Sequence, residues 1–167
     1  MKARARCWLL FWIAASTIAI ALLWGPRLLG APMLVIWERG TSMPRGVYLY
    51  AHAAPASRGE IVALDDAPNW GRSYLLKRVA GVGGVRYCWD PDNERHVLAG
   101  RIMPGPSAQA IALGIKVWTG CRRLRDDEIA VYSDHVDSYD SRYFGPVTQD
   151  QIMGVYRLIL PLPRSDS

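Results

Sequence analysis

An uncharged apolar run near the amino terminus is the strongest constraint on how this chain folds. Residues 8–24 carry no charged side chain, and 17 helical residues span about 26 Å at 1.5 Å per residue. That length is at the short end of what the core of a bilayer requires. Trp8 and Trp24 stand at its two ends, where indole rings favour the interface between water and lipid. The run therefore predicts a transmembrane anchor over residues 8–24.

The charges around this run predict its orientation. Lys2, Arg4 and Arg6 lie in the tail 1–7, so the positive-inside rule leaves that tail in the cytoplasm. Residues 25–32 then form a linker, and the rest of the chain lies across the membrane. The alternative is a cleaved signal peptide, which needs a small-x-small motif after the apolar run. The segment 28–31 reads Leu-Leu-Gly-Ala and fits that motif poorly, which favours an uncleaved, single-pass anchor.

The remainder of the chain has the length of one domain and few signs of ligand chemistry. About 140 residues are enough to bury a real core. The net charge of +5 includes the basic tail, and no Lys/Arg block with interleaved aromatic residues occurs, so nucleic acid is not an expected partner. The histidines are scattered and no Cys-x-x-Cys occurs, so neither a metal nor a cofactor is expected. Cys88 and Cys121 would lie in an oxidising compartment, where a disulfide between them is the candidate pairing.

Beyond the anchor, the pattern indicates a mostly β domain over residues 33–167. Short apolar or alternating runs are separated by Gly, Pro and Asp turns, and helical periodicity is scarce. This pattern predicts an antiparallel β barrel or sandwich behind one amino-terminal transmembrane helix. Residues 103–114 read as loop, and residues 90–125 as a variable excursion. The predicted strands cover 33–37, 46–50, 60–64, 74–79, 85–89, 96–102 as a short hairpin, 115–118, 128–132 and 153–160.

Two residues are candidates for chemistry, although neither is specific alone. Ser42 lies in Gly-Thr-Ser-Met-Pro and Lys77 in Leu-Leu-Lys-Arg-Val. By itself, Ser42 would be a turn serine and Lys77 a solvated strand lysine. A serine hydroxyl needs a base to become a nucleophile, and lysine is a recurrent alternative to histidine. The surroundings of Ser42 lack the second glycine of a nucleophile elbow and the Ser-x-x-Lys motif of penicillin-binding proteins.

Three ordered motifs resemble one family. Ser-Met-Pro at 42–44, Lys-Arg-Val-Ala-Gly at 77–81 and Asp-Ser-Arg-Tyr-Phe-Gly-Pro-Val at 140–147 follow the apolar run in that order. This arrangement resembles the bacterial type I signal peptidases, over roughly residues 33–160. The single anchor, the short chain and Pro-Arg-Gly-Val-Tyr at 44–48 are similar to the TraF-type peptidases of conjugative transfer.

The resemblance implies roles for individual residues. Ser42 would be the nucleophile and Lys77 the general base. Ser138 would hydrogen-bond the lysine amine, and Asp140 and Arg142 would form a supporting ion pair. The substrate and oxyanion side of the site is expected to include Gly40, Thr41 and Met43.

Two departures from the family pattern concern this site. Gly40 stands where many signal peptidases carry a hydroxyl residue that helps to form the oxyanion hole. The Ser42 backbone N–H, aided by a group such as the Thr41 hydroxyl, would have to serve instead. The segment 133–137 also differs from the family's usual Gly-Asp-Asn-Arg-Asp and is one residue shorter, which bears on the alignment of Ser138.

The resemblance also implies a function and a location. It implies a serine endopeptidase in the bacterial inner membrane, with its catalytic domain in the periplasm. Its substrate would be a leader-bearing exported protein, a pilin-like subunit with small residues before the cut, and its other partner the lipid bilayer. Two alternatives stay open, a general secretory type I signal peptidase and a non-catalytic β domain of an envelope assembly.

Overall fold

The computed structural model describes residues 8, 12–18, 32–65, 74–133 and 135–163. The chain divides into two compact units, Met1–Leu34 and Val35–Ser167. The predicted tail 1–7, most of the predicted anchor and nearly all of the linker 25–32 lie outside the described residues.

In the amino-terminal unit, residues 12–18 are helical. The Thr17 hydroxyl donates to the Ile13 carbonyl one turn earlier, at 2.8 Å. Trp8, Trp12, Ile13 and Ile18 are exposed. Within the described residues, no helix has both the length and the apolar character needed to cross a bilayer.

The larger unit is built from antiparallel strands, which confirms the predicted mostly β fold. The described strands are β1 (Val35–Glu38), β2 (Gly46–His52), β3 (Ile61–Asp65), β4 (Tyr74–Val82), β5 (Arg86–Asp90), β6 (Arg95–Leu98), β7 (Arg101–Ile102), β8 (Cys121–Arg123), β9 (Glu128–Tyr132), β10 (Val147–Thr148) and β11 (Ile152–Pro161). Among the described residues they form a seven-stranded sheet in the order β1-β2-β11-β3-β4-β9-β10 and a four-stranded sheet in the order β7-β6-β5-β8. The described residues of this unit also form two short α-helices, α1 (Ala108–Ala112) and α2 (Ser141–Phe144), and a 3-10 turn at Gln149–Gln151.

Strand β9 belongs to both of the main apolar cores. Successive side chains of a strand point to opposite faces of the sheet. Ile129 and Val131 enter one core with residues of β3, β4 and β11, whereas Ala130 and Tyr132 pack against Tyr87 and other residues of the smaller sheet. All five residues of β9 are buried, which explains the apolar run at 129–131 that its sequence carries on both faces.

The variable excursion differs from the prediction in two places. Residues 115–118, predicted as a strand, are irregular, and the strand in this region is β8 instead. The Trp118 ring stacks on Tyr87 with centroids 4.4 Å apart, and the Trp118 backbone N–H donates to the Arg142 carbonyl. The backbone of this segment is therefore hydrogen-bonded outside a β-sheet ladder. Helix α1 lies within the predicted loop 103–114 and is capped by the Ser107 hydroxyl, which accepts from the Ala110 N–H.

The smaller sheet contains the disulfide. Strands β5 and β8 pair antiparallel with Cys88 opposite Cys121. The two sulfur atoms, which the sequence suggested as partners, are bonded at 2.01 Å. The bond links neighbouring strands of the smaller sheet and joins residues 33 positions apart in the chain.

Candidate active site

Ser42 lies in the turn that joins β1 to β2. The two strands pair from Val35 opposite Leu49 to Glu38 opposite Gly46, which closes the turn at its base. Within the turn the buried Glu38 carboxylate accepts the Gly40 N–H. The Tyr48 hydroxyl donates to the Pro44 carbonyl at 2.7 Å. Side chains therefore hold the turn on both sides of Ser42.

Lys77 lies in the middle of the larger sheet and is almost completely buried. It is on β4, whose neighbours are β3 and β9, and its side chain is 2% exposed. The Nζ atom donates to Ser138 Oγ at 2.7 Å. Leu76 and Val79 on the same strand are also buried. Removal of an amine from water disfavours its charged form, which is the condition for a lysine to accept a proton near neutral pH.

The segment from Ser133 to Ser138 contacts both candidates. The Ser133 hydroxyl donates to the Ser42 carbonyl, and Ser138 accepts from Lys77. Sequence reasoning did not single out Ser133, although it recognised that this segment departs from the family pattern. A side chain that holds a backbone carbonyl 91 residues away leaves no local sequence signal.

A buried ion pair fixes this segment. Asp140 and Arg142 are both fully buried, and the guanidinium binds the carboxylate at 2.8 Å through Nε and through Nη2. Asp140 also accepts the N–H groups of Ser133 and Arg142, the latter as the amino-terminal cap of α2. Nη1 also donates to the carbonyls of Gly105 and Val136, and Nη2 shares its hydrogens with those of His135 and Ser138. The pair thereby holds both ends of the segment that contacts Ser42 and Lys77.

An aromatic cluster supports the same region. The Tyr87 hydroxyl donates to the Ser141 carbonyl at 2.7 Å and lies 2.9 Å from the Tyr132 hydroxyl, and burial raises the pKa of both phenols. His96 Nε2 is 2.7 Å from the Trp118 carbonyl, which assigns the ring proton to that nitrogen. Burial lowers the pKa of this imidazole, and its Nδ1 has no hydrogen-bond partner among the described residues.

Ser42 lies on the wall of a cavity of about 490 Å³. Thr41 and Met43 line it as well, whereas Gly40 does not. Lys77 is not among the residues that line the cavity, whereas its neighbour Arg78 is. The full lining consists of Thr41, Ser42, Met43, Pro44, Arg58, Gly59, Arg78, Val79, Ala80, Leu98, Arg101, Met103, Tyr132, Ser133 and His135. Among the described residues, no group of three or more His, Cys, Asp or Glu side chains is placed to hold a metal ion.

A serine on a cleft wall and a buried lysine, here each bonded to the Ser133–Ser138 segment, are the two residue types that serine hydrolases with a lysine base use. The chain belongs to the signal peptidase family, peptidase S26, whose pattern it matches over residues 8–160. Its enzyme class is therefore that of a serine protease acting on leader peptides.

A solved signal peptidase I from Enterococcus faecalis V583 is similar to this chain at 18% sequence identity and a TM-score of 0.39, covering 62% of this chain and 97% of that one. No curated protein sequence matches this chain.

Proposed function

We propose that this chain is a membrane-anchored serine endopeptidase that uses Ser42 as nucleophile and Lys77 as general base. One observation carries the proposal: the Ser133–Ser138 segment binds the Ser42 carbonyl at one end and the Lys77 amine at the other. A nucleophile and a base must be held in a defined relative position to react. The Ser133–Ser138 segment is bonded to both residues and is itself held by the buried Asp140–Arg142 ion pair, which supports a fixed relative position for Ser42 and Lys77.

The proposed reaction proceeds through an acyl-enzyme. The neutral Lys77 amine takes the Ser42 proton as the serine oxygen attacks the carbonyl carbon of the leader's cleavage bond. The Ser42 backbone N–H and the Thr41 hydroxyl stabilise the oxyanion. When the intermediate collapses, the carbon–nitrogen bond breaks and the Lys77 ammonium gives its proton to the leaving amine. Water, or the amino terminus of the substrate itself, then attacks the ester and releases a linear or a cyclic product.

The substrate we infer is a pilin-like subunit of a conjugation apparatus. This rests on the Pro-Arg-Gly-Val-Tyr segment at 44–48, which resembles the TraF-type peptidases. The membrane location and periplasmic orientation rest on residues 8–24 and the basic tail, and the Cys88–Cys121 disulfide suits an oxidising compartment. An enzyme that is active only in the cytoplasm, fused after Ser167, should be inactive, and activity would contradict this orientation.

Cleavage of a membrane-inserted, leader-bearing pilin by the purified full-length chain tests the activity. We expect a truncated product with wild type and none with Ser42→Ala, which should keep the fold because the side chain is small and lies in a turn. Ser57→Ala, an exposed serine outside the cavity, is the matched control and should cleave normally. Wild-type cleavage by Ser42→Ala would end the serine-peptidase proposal.

A further inference from the structure

We infer that the cleft beside Ser42 selects a substrate segment rich in Asp or Glu, through Arg58, Arg78 and Arg101. The inference rests on the proposed function, since it assigns a substrate class to that same site. All three arginines line the cavity that Ser42 lines, and all three are exposed. They are far apart in the chain, so their convergence is a product of the fold.

Three different elements bring the arginines together. Arg58 lies in the turn before β3, and this turn is held against β4 by two backbone hydrogen bonds of 2.8 Å between Gly59 and Val79 and between Val79 and Glu60. Arg78 lies on β4 itself, and its Nη1 donates to the Gly59 carbonyl at 2.9 Å. Arg101 comes from the smaller sheet, where β7 pairs with β6 and places Arg101 opposite Leu98.

No carboxylate among the described residues lines the cavity to balance these charges. Glu60, the acidic residue nearest to Arg58 in the sequence, already has hydrogen-bond partners. Its Oε2 accepts the Ser57 N–H at 2.7 Å, and its Oε1 lies 3.1 Å from His52 Nε2. None of the three guanidinium groups takes part in an ion pair within the described part of the chain.

Positive charge along the lining of a concave site favours an anionic ligand. A cleft lined by one sign of charge concentrates the potential and accelerates the arrival of opposite charge. Guanidinium groups bind carboxylates through paired hydrogen bonds, which gives them an advantage over other side chains for this task. Because Ser42 lies on the same wall, the anionic ligand that the geometry favours is the peptide segment next to the cleavage bond.

Peptide binding to the Ser42→Ala protein tests the inference without requiring turnover. The probes are fluorescein-labelled dodecapeptides with the same alanine core. Each carries one block of three identical residues, Asp, Asn or Lys, placed either before or after that core. We expect the best Asp peptide to bind about tenfold more tightly than its Asn counterpart at low salt, with the Lys peptide weakest. The advantage should shrink severalfold near 0.5 M salt, because the charges are exposed and screened.

Charge reversal identifies the side chains responsible. Arg58→Glu and Arg101→Glu should each remove most of the preference for Asp and raise binding of the Lys peptide. Lys116→Glu makes the same change of two charges at an exposed position outside the cavity and should leave the preference unchanged. Equal binding of Asp and Asn peptides, or an equal effect of Lys116→Glu, would overturn the inference.

Two further measurements separate this inference from the proposed function and from a lipid ligand. If wild type cleaves no peptide while Asp binding still depends on Arg58 and Arg101, the proposed activity fails and the acidic preference stands. If wild type cleaves Asn and Asp peptides equally well, the activity stands and the preference is wrong. Binding to phosphatidylglycerol vesicles is the test for a lipid ligand. If the arginine variants lose vesicle binding but keep peptide binding, these arginines bind lipid and the inference is overturned.

Discussion

Lys77 Nζ donates a 2.7 Å hydrogen bond to Ser138 Oγ in a region where both side chains are 2% exposed. A hydroxyl accepts this bond without carrying a charge of its own, so it orients the amine without adding the electrostatic stabilisation that a carboxylate gives an ammonium ion. Lys77 can thus be held in place while burial disfavours its protonated form.

Removal of the Ser138 hydroxyl should slow the reaction without weakening substrate binding. We expect Ser138→Ala to reduce kcat about 10- to 100-fold with little change in KM, since positioned proton transfer contributes about 100- to 10,000-fold. Ser138→Thr keeps the hydroxyl and should recover part of the loss. A rise in KM with kcat unchanged would show that Ser138 does not position the base.

Replacement of Lys77 by arginine should abolish cleavage although the charge is retained. Guanidinium stays protonated at any usable pH and cannot accept the serine proton. In wild type the rate should rise with pH as the ammonium loses its proton, as a pH profile of kcat/KM would show. Lys77→Met should be equally inactive, with a urea midpoint at least as high as wild type, because no buried amine remains to be desolvated. Activity in Lys77→Arg would assign the base elsewhere.

Loss of one partner of the Asp140–Arg142 pair should destabilise the fold strongly. A buried charge left alone costs about 3–5 kcal/mol, so Arg142→Leu should lower the free energy of unfolding by about that amount in urea titrations. Asp127→Ala is the control, because Asp127 is 62% exposed, its partner Arg125 is 63% exposed, and surface pairs contribute about 0–1 kcal/mol. Similar losses for the two variants would contradict the structural role assigned to the buried pair.

His96 and His52 should affect stability in opposite directions as the pH changes. The folded pKa of His96 is lowered by burial, so its contribution is complete above the unfolded value near 6.5 and is lost as the pH falls below it. The pKa of His52 is raised by its hydrogen bonds to the Ala53 carbonyl and Glu60, so its contribution is lost as the pH rises.

Unfolding measured at pH 7 and pH 5 separates the two histidines. His96→Phe should reduce the loss of stability on acidification, whereas His52→Gln should increase it. The same change in both variants would contradict the assignment.

The strand pattern and the main motifs could be predicted from the sequence because they are local. Alternation of apolar residues and the Gly and Pro turns defined β2, β3, β4, β9 and β11 to within a few residues. The run at 128–132 predicted a strand, and β9 covers those residues. The Lys-Arg-Val and Asp-Ser-Arg-Tyr motifs identified the family because their order and residue types are preserved in the linear chain.

Tertiary structure decided the features that depend on partners distant in sequence. Residues 115–118 look like a strand, but stacking of Trp118 on Tyr87 and a bond to the Arg142 carbonyl leave them irregular. Ser133 holds Ser42, and three arginines meet at one cleft, only because the sheets bring their strands together. Periodicity indicates which face of a helix or strand is buried. A hydrogen bond or a charge cluster instead requires residues that are distant in sequence to lie close together, and only the tertiary structure determines which residues do so.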